Sequence, residues 1–384
     1  MWTTSPQLGE GIFKKDGPNQ SDRKNFKALG KNDNNTGMVR CGIILCLLYG
    51  VVSTTEAQWQ SIGTDRGSVD VYVPENPSGK QLPLAIGLHA YSNSGFILES
   101  TMQMQSVAED RQVILCYPNG TLGFLFLRFW NATFACCGPT TGVDDSGYLR
   151  ALIEQLQATF EIDPRHIHLF GYSNGGFMAN RMACDHSDVV ASVASFAGGS
   201  WLDPANCPAD EAVSVLLVHG TEDAVIQYNG GTLPLIPGVG PYPSHEQSVE
   251  HWRSLHSCED ESVFESTIDL HESLAGEETV VREYGDCRSG VTVESWSVQG
   301  LGHLPVWSNF NLSGALMDWL LAHPKPPPCD CTGDVNADCQ VNFEDLTILL
   351  SGWSGNGQAD VNQDGICDFE DLLIVLSAFG STCG

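Results

Sequence analysis

The sequence predicts an α/β protein in which an open, mostly parallel sheet carries helices on both faces, followed by a small all-α module. First, short apolar runs alternate with helical patterns across residues 58–322. Second, several of these runs are apolar throughout, which is typical of strands buried on both faces of a parallel sheet. Third, the proline-rich segment "HPKPPPCDC" at 323–331 predicts a stiff, extended linker before residues 332–384, where an acidic pattern occurs twice.

The N-terminal residues predict export rather than part of the fold. Residues 38–57, "MVRCGIILCLLYGVVSTTEA", combine one arginine, an apolar run from Cys41 to Val52 and small residues at Thr55 and Ala57, the pattern of a secretory signal peptide. The apolar run is short for a membrane span, so an anchor is the weaker alternative. Residues 1–37 are interpreted as a gene-model extension, the alternative being a disordered leader. We therefore expect a secreted mature chain that begins at Gln58.

Cysteine usage agrees with export, because exported chains rich in cysteine carry disulfides. Of fourteen cysteines, seven fall between Cys116 and Cys287 and five between Cys329 and Cys383. Both counts are odd, so each module has a free thiol or one bridge joins the modules. Cys116, inside the apolar run "QVILCYP", is the best candidate for a buried free thiol. Cys258 is expected to bridge Cys287, and the remaining cysteines are assigned no partner.

The elements of the larger module follow in chain order. Five runs predict strands: "LPLAIGLHA", "QVILCYP", "RHIHLFG", "SVLLVHG" and "VTVESWSV". Three stretches predict helices: "DDSGYLRALIEQLQATF", "NGGFMANRMAC" and "SGALMDWLLAH". The first of these helices begins with acidic residues and repeats its apolar residues at helical spacing, at Leu149, Leu152, Ile153, Leu156 and Phe160.

A serine stands where one predicted strand turns into a helix. Ser173 follows the strand "IHLF" inside Gly171-Tyr172-Ser173-Asn174-Gly175, which is the G-x-S-x-G pattern of a nucleophile elbow. The turn is so tight that side chains two residues before or after the serine would collide, hence the two glycines. The following helix N-terminus offers a positive dipole and the N–H of Asn174 for an oxyanion. An ordinary turn serine is the alternative.

Partners for the serine occur later in the chain, in the order serine, acid, histidine that this architecture uses. The strand in "LLVHGTEDAVIQY" ends in a loop with Glu222 and Asp223, and the strand in "SVQGLGHLPVW" ends at His303. His303 would shuttle the serine proton while Asp223 orients the imidazole, with Glu222 as a competing acid. A turn acid and a loop-capping histidine are the alternative interpretations.

The larger module resembles a known family over Gln58 to about Ala322. The segments "GLHAYSNSG", "FWNATFACCG", "VDDSGYLRALI", "GYSNGGFMANRMAC", "HGTEDAVIQY" and "GLGHLPVW" are similar to secreted esterases grouped with polyhydroxybutyrate depolymerases and feruloyl or acetylxylan esterases. The resemblance implies the α/β-hydrolase fold, with Ser173 as nucleophile, Asp223 as acid and His303 as base. The family's oxyanion loop usually reads His-Gly and a variable residue, and here it reads His89-Ala90-Tyr91. The oxyanion would then be held by the N–H groups of Asn174 and Tyr91.

The C-terminal repeat predicts a pair of calcium loops. "DVNADCQVNFEDL" and "DVNQDGICDFEDL" both place oxygen-bearing side chains at loop positions 1, 3, 5, 9 and 12, where alternate carboxylates repel until a hard cation binds. Solvated acidic turns are the alternative. The two candidate ligand sets are Asp334, Asn336, Asp338, Asn342 and Asp345, then Asp360, Asn362, Asp364, Asp368 and Asp371.

This duplicated loop and helix resembles a dockerin, whose loops end in aspartate. The segments "LTILLSGW" and "LLIVLSAF" would be short apolar helices that pack together. Position 6 of the loop is Gly365 in the second repeat but Cys339 in the first, so the first site is expected to bind calcium more weakly. The resemblance implies a cohesin-like docking partner. Dockerin-bearing enzymes usually act on plant or algal polysaccharide, which favours feruloyl or acetyl esters on glycan, with polyhydroxybutyrate as the alternative substrate.

The charge balance excludes some partners. Eighteen basic against 47 acidic residues give a formal charge of −29, which argues against binding to nucleic acid and to anionic membranes. The catalytic residues predicted here need no cofactor. A non-catalytic adhesion or scaffold protein on the same fold is the alternative of another class, and the intact serine, acid and histidine argue against it.

Overall fold

The structure is a computed structural model, and its described residues belong to the unit Val52–Gly384. The described ranges are 57–76, 78–123, 126–136, 142–233, 239–259, 262–303, 311–326, 331–336, 340–355, 357 and 359–381. Several predicted features lie outside these ranges: the expected leader, the expected signal peptide up to Glu56, part of the expected linker (327–330) and the candidate ligand Asp338. Within the described residues, no helix has the length and apolarity needed to cross a membrane.

A ten-stranded sheet forms the centre of the described chain, in the spatial order β1-β2-β4-β3-β7-β8-β9-β14-β13-β12. Short two-residue strands pair outside it as β5 with β6 and β10 with β11. In chain order the strands are β1 (Gln58–Thr64), β2 (Gly67–Val73), β3 (Leu82–Leu88), β4 (Ile114–Tyr117), β5 (Thr121–Leu122), β6 (Arg128–Phe129), β7 (Ile162–Tyr172), β8 (Ser192–Phe196), β9 (Ser214–Gly220), β10 (Gly231–Thr232), β11 (Pro241–Tyr242), β12 (Phe264–Ile268), β13 (Thr279–Tyr284) and β14 (Val293–Val298).

The six central strands, from β4 to β14 in spatial order, pair in parallel. The strands at both edges pair antiparallel, β1 and β2 on one side and β13 and β12 on the other. The predicted mostly parallel sheet is therefore confirmed. Because parallel strands all end at the same edge, the segments that follow β7, β9 and β14 are brought together there.

Eight α-helices occur in the described chain: α1 (Gly95–Met102), α2 (Met104–Arg111), α3 (Asp145–Thr159), α4 (Asn174–Asp185), α5 (His245–Leu255), α6 (Leu312–Ala322), α7 (Phe343–Ser351) and α8 (Phe369–Ala378). Helices α3, α4 and α5 bury residues in one core cluster, and α1, α2 and α6 bury residues in a second. Alternate residues of β3 belong to different clusters, Leu84 and Ile86 to the first and Ala85 to the second. Both faces of the sheet are thus covered, which explains why its central strands are apolar throughout.

The five strands and three helices predicted for this module are present as β3, β4, β7, β9, β14, α3, α4 and α6. Helix α3 begins as its acidic head predicts, because the Asp144 side chain accepts a hydrogen bond from Gly147 N–H. It ends at Thr159, so Phe160, which was expected to continue the apolar stripe, lies just beyond the helix.

The C-terminal residues have a small hydrophobic core of their own, which includes Val335, Val341, Leu349, Cys367 and Val375. Helices α7 and α8 each start with a reciprocal capping arrangement, formed by Asn342 with Asp345 and by Asp368 with Asp371. The helices therefore begin earlier than the apolar runs that predicted them, at the last residues of the two acidic loops.

Two cysteine predictions are confirmed. Cys258 and Cys287 form a disulfide, and Cys116 is a buried free thiol. A second disulfide, Cys184–Cys207, joins the end of α4 to the segment before β9 and was not predicted from the sequence. Cys367 is a further free thiol, buried between the two C-terminal repeats' apolar residues.

Candidate active site

Ser173 lies in the sharp turn between β7 and α4, at the carboxyl end of the parallel sheet. Its φ of 55° and ψ of −116° are unusual for a residue with a side chain, which indicates a constrained backbone. A Cβ on Gly171 would lie 2.1 Å from the carbonyl oxygen of Gly175, and a Cβ on Gly175 would lie 1.9 Å from that of Leu88. The two glycines therefore permit both the tight turn and the close approach of α4 to β3.

The structure brings Ser173, His303 and Asp223 into one hydrogen-bonded row. His303 Nε2 lies 3.1 Å from Ser173 Oγ, and His303 Nδ1 lies 2.7 Å from Asp223 Oδ2. Asp223 follows β9 and His303 follows β14, so three separate strand ends supply the three side chains. A base in contact with the hydroxyl, itself held by a carboxylate, is the arrangement that activates a serine as nucleophile.

Asp223, rather than its neighbour Glu222, faces the imidazole. Asp223 is buried and its Oδ1 accepts hydrogen bonds from the N–H groups of Val225 and Ile226, at 2.8 and 2.9 Å. Burial acts to raise the pKa of Asp223, but hydrogen bonds from His219 and His303 outweigh it and lower the pKa to about 2. Asp223 is therefore ionised at neutral pH, while Glu222 is exposed to solvent.

Two residues that contact this row were not predicted from the sequence. The Tyr172 hydroxyl donates a hydrogen bond to the carbonyl oxygen of His303, and its ring stacks on the His303 imidazole. His219 Nε2 lies 2.8 Å from the carbonyl oxygen of Ile226 and 3.4 Å from Asp223 Oδ2. Both residues sit inside the motifs that predicted Ser173 and Asp223, but their contacts depend on how the loops meet in space.

The two segments predicted to hold an oxyanion are linked through Trp130. Asn174 is the first residue of α4; its side chain accepts a hydrogen bond from Trp130 N–H at 2.7 Å and donates one to the Trp130 carbonyl at 2.9 Å. The Trp130 indole N–H donates to the carbonyl oxygen of His89 at 3.1 Å. Tyr91 follows in this same segment and is partly buried against the core. The two expected donor residues thus belong to backbone segments that share one buried anchor.

His89 fixes the shape of the segment that leads to Tyr91. Its Nδ1 lies 2.8 Å from the carbonyl oxygen of Ala90, and its Nε2 accepts a hydrogen bond from Gly120 N–H at 2.9 Å. Because a carbonyl can only accept, Nδ1 carries the hydrogen and the ring is neutral. Burial lowers the pKa of His89 to about 4, which keeps this form at neutral pH. The φ of Ala90 is not positive, so an alanine fits at this position without backbone strain.

The aspartates at position 12 of the two C-terminal loops, Asp345 and Asp371, accept equivalent hydrogen bonds. Asp345 Oδ1 accepts from the N–H groups of Val335 and Asn336, and its Oδ2 accepts from Asn342 N–H. Asp371 makes the three equivalent contacts in the second loop, and both carboxylates are fully buried. Each aspartate therefore ties the beginning of its loop to the start of the following helix.

The second loop forms a tight turn around the Asp360 side chain. The Asp360 carboxylate accepts hydrogen bonds from Asp364 N–H at 3.1 Å and from Gly365 N–H at 2.8 Å. Gly365 has a φ of +99°, which favours glycine at this sharp turn. The candidate metal ligands in this turn are oxygen atoms, the ligand type that a hard cation such as calcium takes. Asp338, the position-5 residue of the first loop, lies outside the described residues.

The fold and the row of Asp223, His303 and Ser173 define a class of protein, the serine hydrolases of the α/β-hydrolase type. The solved acetyl xylan esterase from Aspergillus awamori has the same fold, with a TM-score of 0.50, 15% identity, and coverage of 68% of this chain and 98% of that one. Feruloyl esterase B of Piromyces equi is 27% identical over 235 residues, 59% of this chain and 41% of the relative. Poly(3-hydroxyalkanoate) depolymerase C of Paucimonas lemoignei is 22% identical over 262 residues, 64% of this chain and 61% of the relative.

No family model matches the sequence. The chain spans less than two thirds of the length of either relative, so its similarity to each is partial. Together the fold and these similarities support an ester-hydrolysing serine hydrolase.

Proposed function

We propose that this chain is a secreted carboxylic ester hydrolase that removes feruloyl or acetyl groups from plant or algal polysaccharide. The observation that carries the proposal is the hydrogen-bonded row of Ser173, His303 and Asp223. A serine hydroxyl is a weak nucleophile until an adjacent base takes its proton, and His303 is in position to do so. No catalytic cofactor is part of the proposal.

The proposed reaction has two halves. His303 Nε2 takes the proton of Ser173 Oγ as the oxygen attacks the ester carbonyl carbon, and Asp223 stabilises the resulting imidazolium. The negative oxygen of the tetrahedral intermediate accepts hydrogen bonds from the N–H groups of Asn174 and Tyr91. The intermediate collapses, the alcohol leaves with the proton from His303, and an acyl-serine remains. Water, deprotonated by His303, then releases the carboxylic acid and Ser173 recovers its proton.

The choice of substrate rests on similarity and on the C-terminal module. One relative is named a feruloyl esterase and the solved structure is an acetyl xylan esterase, both of which point to acyl groups on plant polysaccharide. The depolymerase relative favours a second candidate, the hydrolysis of poly(3-hydroxybutyrate), whose backbone is also a chain of carboxylic esters. Both candidates use the same nucleophile and differ in the acyl group it accepts.

The C-terminal residues are proposed to be a dockerin-like module that binds calcium and docks to a cohesin-like partner. Ligands would come from the ten oxygen-bearing residues at positions 1, 3, 5, 9 and 12 of the two loops. Support comes from the matching contacts of Asp345 and Asp371 and from the positive φ of Gly365. The segment from Cys329 onward holds ten acidic residues and no lysine or arginine, so two calcium ions would offset about four of its negative charges.

One panel of substrates tests the function. Purified protein is assayed with methyl ferulate, an acetylated xylo-oligosaccharide and a 3-hydroxybutyrate oligomer, with Ser173→Ala as the inactive control. We expect turnover of a feruloyl or acetyl ester to exceed that of the hydroxybutyrate oligomer. A clear preference for the oligomer would favour the depolymerase, and no turnover of any ester would favour the non-catalytic scaffold.

Secretion is tested separately. Expression of residues 1–384 and of residues 38–384 should give the same exported protein, whose N-terminus, measured by mass spectrometry, is Gln58. Recovery of residues 1–37 on the exported protein would contradict the proposed processing.

A further inference from the structure

A cavity of about 430 Å³ lies beside β1, β2 and α1, and none of its lining residues belongs to the row around Ser173 or to the oxyanion segments. A neighbouring cavity of about 570 Å³ shares Glu99, Ser100 and Gln105 with it, so the two form one continuous cleft. The side chains that matter for its chemistry are Trp59, Phe96, Tyr117, Asp70, Glu99 and Gln105.

The cleft presents aromatic surface that is held in place. The Trp59 ring lies 5.4 Å from the ring of Tyr72 and 6.2 Å from that of Tyr117, measured between centroids. Its indole N–H donates to Gln105 Oε1 at 2.9 Å, which fixes the ring orientation. Trp59 is nevertheless 39% exposed and Phe96 is 74% exposed. Large aromatic side chains left exposed around a concave surface are typical of a ligand site.

Glu99 lines both cavities, and its side chain is held in place. Its Oε1 accepts a hydrogen bond from Gln105 N–H at 3.2 Å. Tyr117 is 3% exposed, and both its hydroxyl and Glu99 Oε2 are buried atoms. Burial and the neighbouring Glu99 carboxylate raise the pKa of Tyr117, so these two groups face each other. The lining of the cleft therefore contains an oriented carboxylate.

The charge of the lining limits what can bind. None of the described residues around the cleft is a lysine or an arginine, whereas Asp70, Glu99 and Glu109 are acidic. An anionic ligand such as a uronic acid or a phosphate is therefore disfavoured. A neutral sugar is favoured, because its ring C–H face can pack on Trp59 while its hydroxyl groups can donate to the carboxylates of Glu99 and Asp70.

We propose that this cleft binds a neutral glycan chain, as a second polysaccharide-binding site remote from the reacting serine. It would keep the enzyme on the polymer between turnovers, and this part of the inference rests on the proposed polysaccharide substrate. The cleft is polar where a sugar presents hydroxyl groups and aromatic where a sugar presents C–H groups, which distinguishes it from a purely apolar groove.

The test measures binding of xylohexaose, which carries no ester, to the full chain by isothermal titration calorimetry. Trp59→Ala should weaken binding at least about tenfold, because it removes the stacking surface, and Glu99→Gln should weaken it several-fold. Trp59→Phe keeps a ring and should retain most of the affinity. Phe264→Ala is the matched control, since Phe264 is an exposed aromatic (52%) on β12 at the opposite edge of the same sheet.

Hydrolysis of p-nitrophenyl acetate separates this proposal from the proposed function. The wild type and the Trp59 and Glu99 variants should hydrolyse this soluble ester equally, whereas release of acetate from insoluble acetylated xylan should fall in the variants that lose binding. If the wild type is inactive on the soluble ester, the proposed function fails, and the calorimetry still decides the glycan site. The glycan site would be overturned if the wild type did not bind xylohexaose, or if Trp59→Ala and Glu99→Gln bound it as tightly as the wild type. Binding of choline in place of the sugar would also overturn it, because aromatic rings beside carboxylates can bind a quaternary ammonium group.

Discussion

Tyr172 donates its hydroxyl hydrogen to the backbone carbonyl oxygen of His303, and the two rings stack with centroids 5.3 Å apart at 29°. Tyr172 is the residue immediately before Ser173, so the same turn presents the serine and holds the histidine segment. Burial raises the pKa of Tyr172, which keeps its hydroxyl protonated and able to donate. The position of the imidazole therefore depends on the residue that precedes the proposed nucleophile.

Tyr172→Phe should lower kcat by about five- to tenfold. The substitution keeps the stacked ring but removes one hydrogen bond, whose net value is about 1 kcal/mol. KM for p-nitrophenyl acetate should stay nearly constant, because Tyr172 positions the base. Steady-state kinetics beside a thermal melt separate this effect from a loss of stability. Unchanged kcat would mean that His303 is held by its other contacts alone.

Asp223→Asn should lower kcat by several orders of magnitude, whereas Glu222→Gln should change it less than about twofold. Asp223 is buried and contacts His303 Nδ1 at 2.7 Å, while Glu222 is exposed. The two variants change adjacent residues in the same chemical way and so control for each other. Ser173→Ala and His303→Ala set the level of complete loss. If Glu222→Gln lowered kcat more than Asp223→Asn, Glu222 would be the acid that orients His303.

The free energy of unfolding should fall on acidification partly through Asp223. Its pKa is lowered from 3.8 in the unfolded chain to about 2 in the folded one, so its stabilisation is present above pH 3.8 and is lost as the pH falls through 2. The shift corresponds to about 2 kcal/mol. Urea unfolding between pH 5 and pH 2 should therefore show a shallower decline for Asp223→Asn than for the wild type. Parallel declines would show that other groups carry the acid sensitivity.

His219 is expected to position Asp223. Its Nε2 lies 2.8 Å from the carbonyl oxygen of Ile226 and 3.4 Å from Asp223 Oδ2, so one N–H holds the loop that carries the acid. His219→Ala should lower kcat about five- to fiftyfold and should raise the pKa of Asp223, because the carboxylate loses a hydrogen-bond donor. Urea unfolding between pH 5 and pH 2 checks the second effect, and a fall in melting temperature with an unchanged pH dependence would indicate a purely structural role.

The sequence could predict Ser173, Asp223 and His303 because each stands at the end of an apolar strand, inside a short local pattern. The contacts of Tyr172 and His219 could not be predicted, since they join loops that the pattern does not relate in space; Tyr172 and His303 are 131 residues apart. The Trp59 cleft could not be predicted either, because it is built from three separate segments of the chain.

Several strands that the sequence failed to predict have weaker local patterns. Strands β1 and β12 form the two edges of the sheet and leave several residues exposed, and β13 interrupts its apolar residues with Arg282 and Glu283, so none of them has the continuous apolar run of the central strands. Helix α5 did have a signal that could have been found: Ser244 and Gln247 form a capping box at its start.

Calcium should stabilise the C-terminal module, and the two loops should contribute unequally. Helices of nine and ten residues are too short to be stable alone, so α7 and α8 depend on their small common core and on the loops that precede them. Binding of an ion to the loops would then contribute to folding.

In the full-length protein, chelator should expose residues 332–384 to limited proteolysis and calcium should protect them. Asp360→Ala should reduce this protection more than Asp334→Ala, because position 6 of the loop is Gly365 in the second repeat and Cys339 in the first. Esterase activity should stay constant throughout, since Ser173, His303 and Asp223 are hydrogen-bonded to one another and the C-terminal residues have a hydrophobic core of their own. Equal protection with and without calcium would mean that the module folds independently of the ion and would remove the physical basis for calcium-dependent docking.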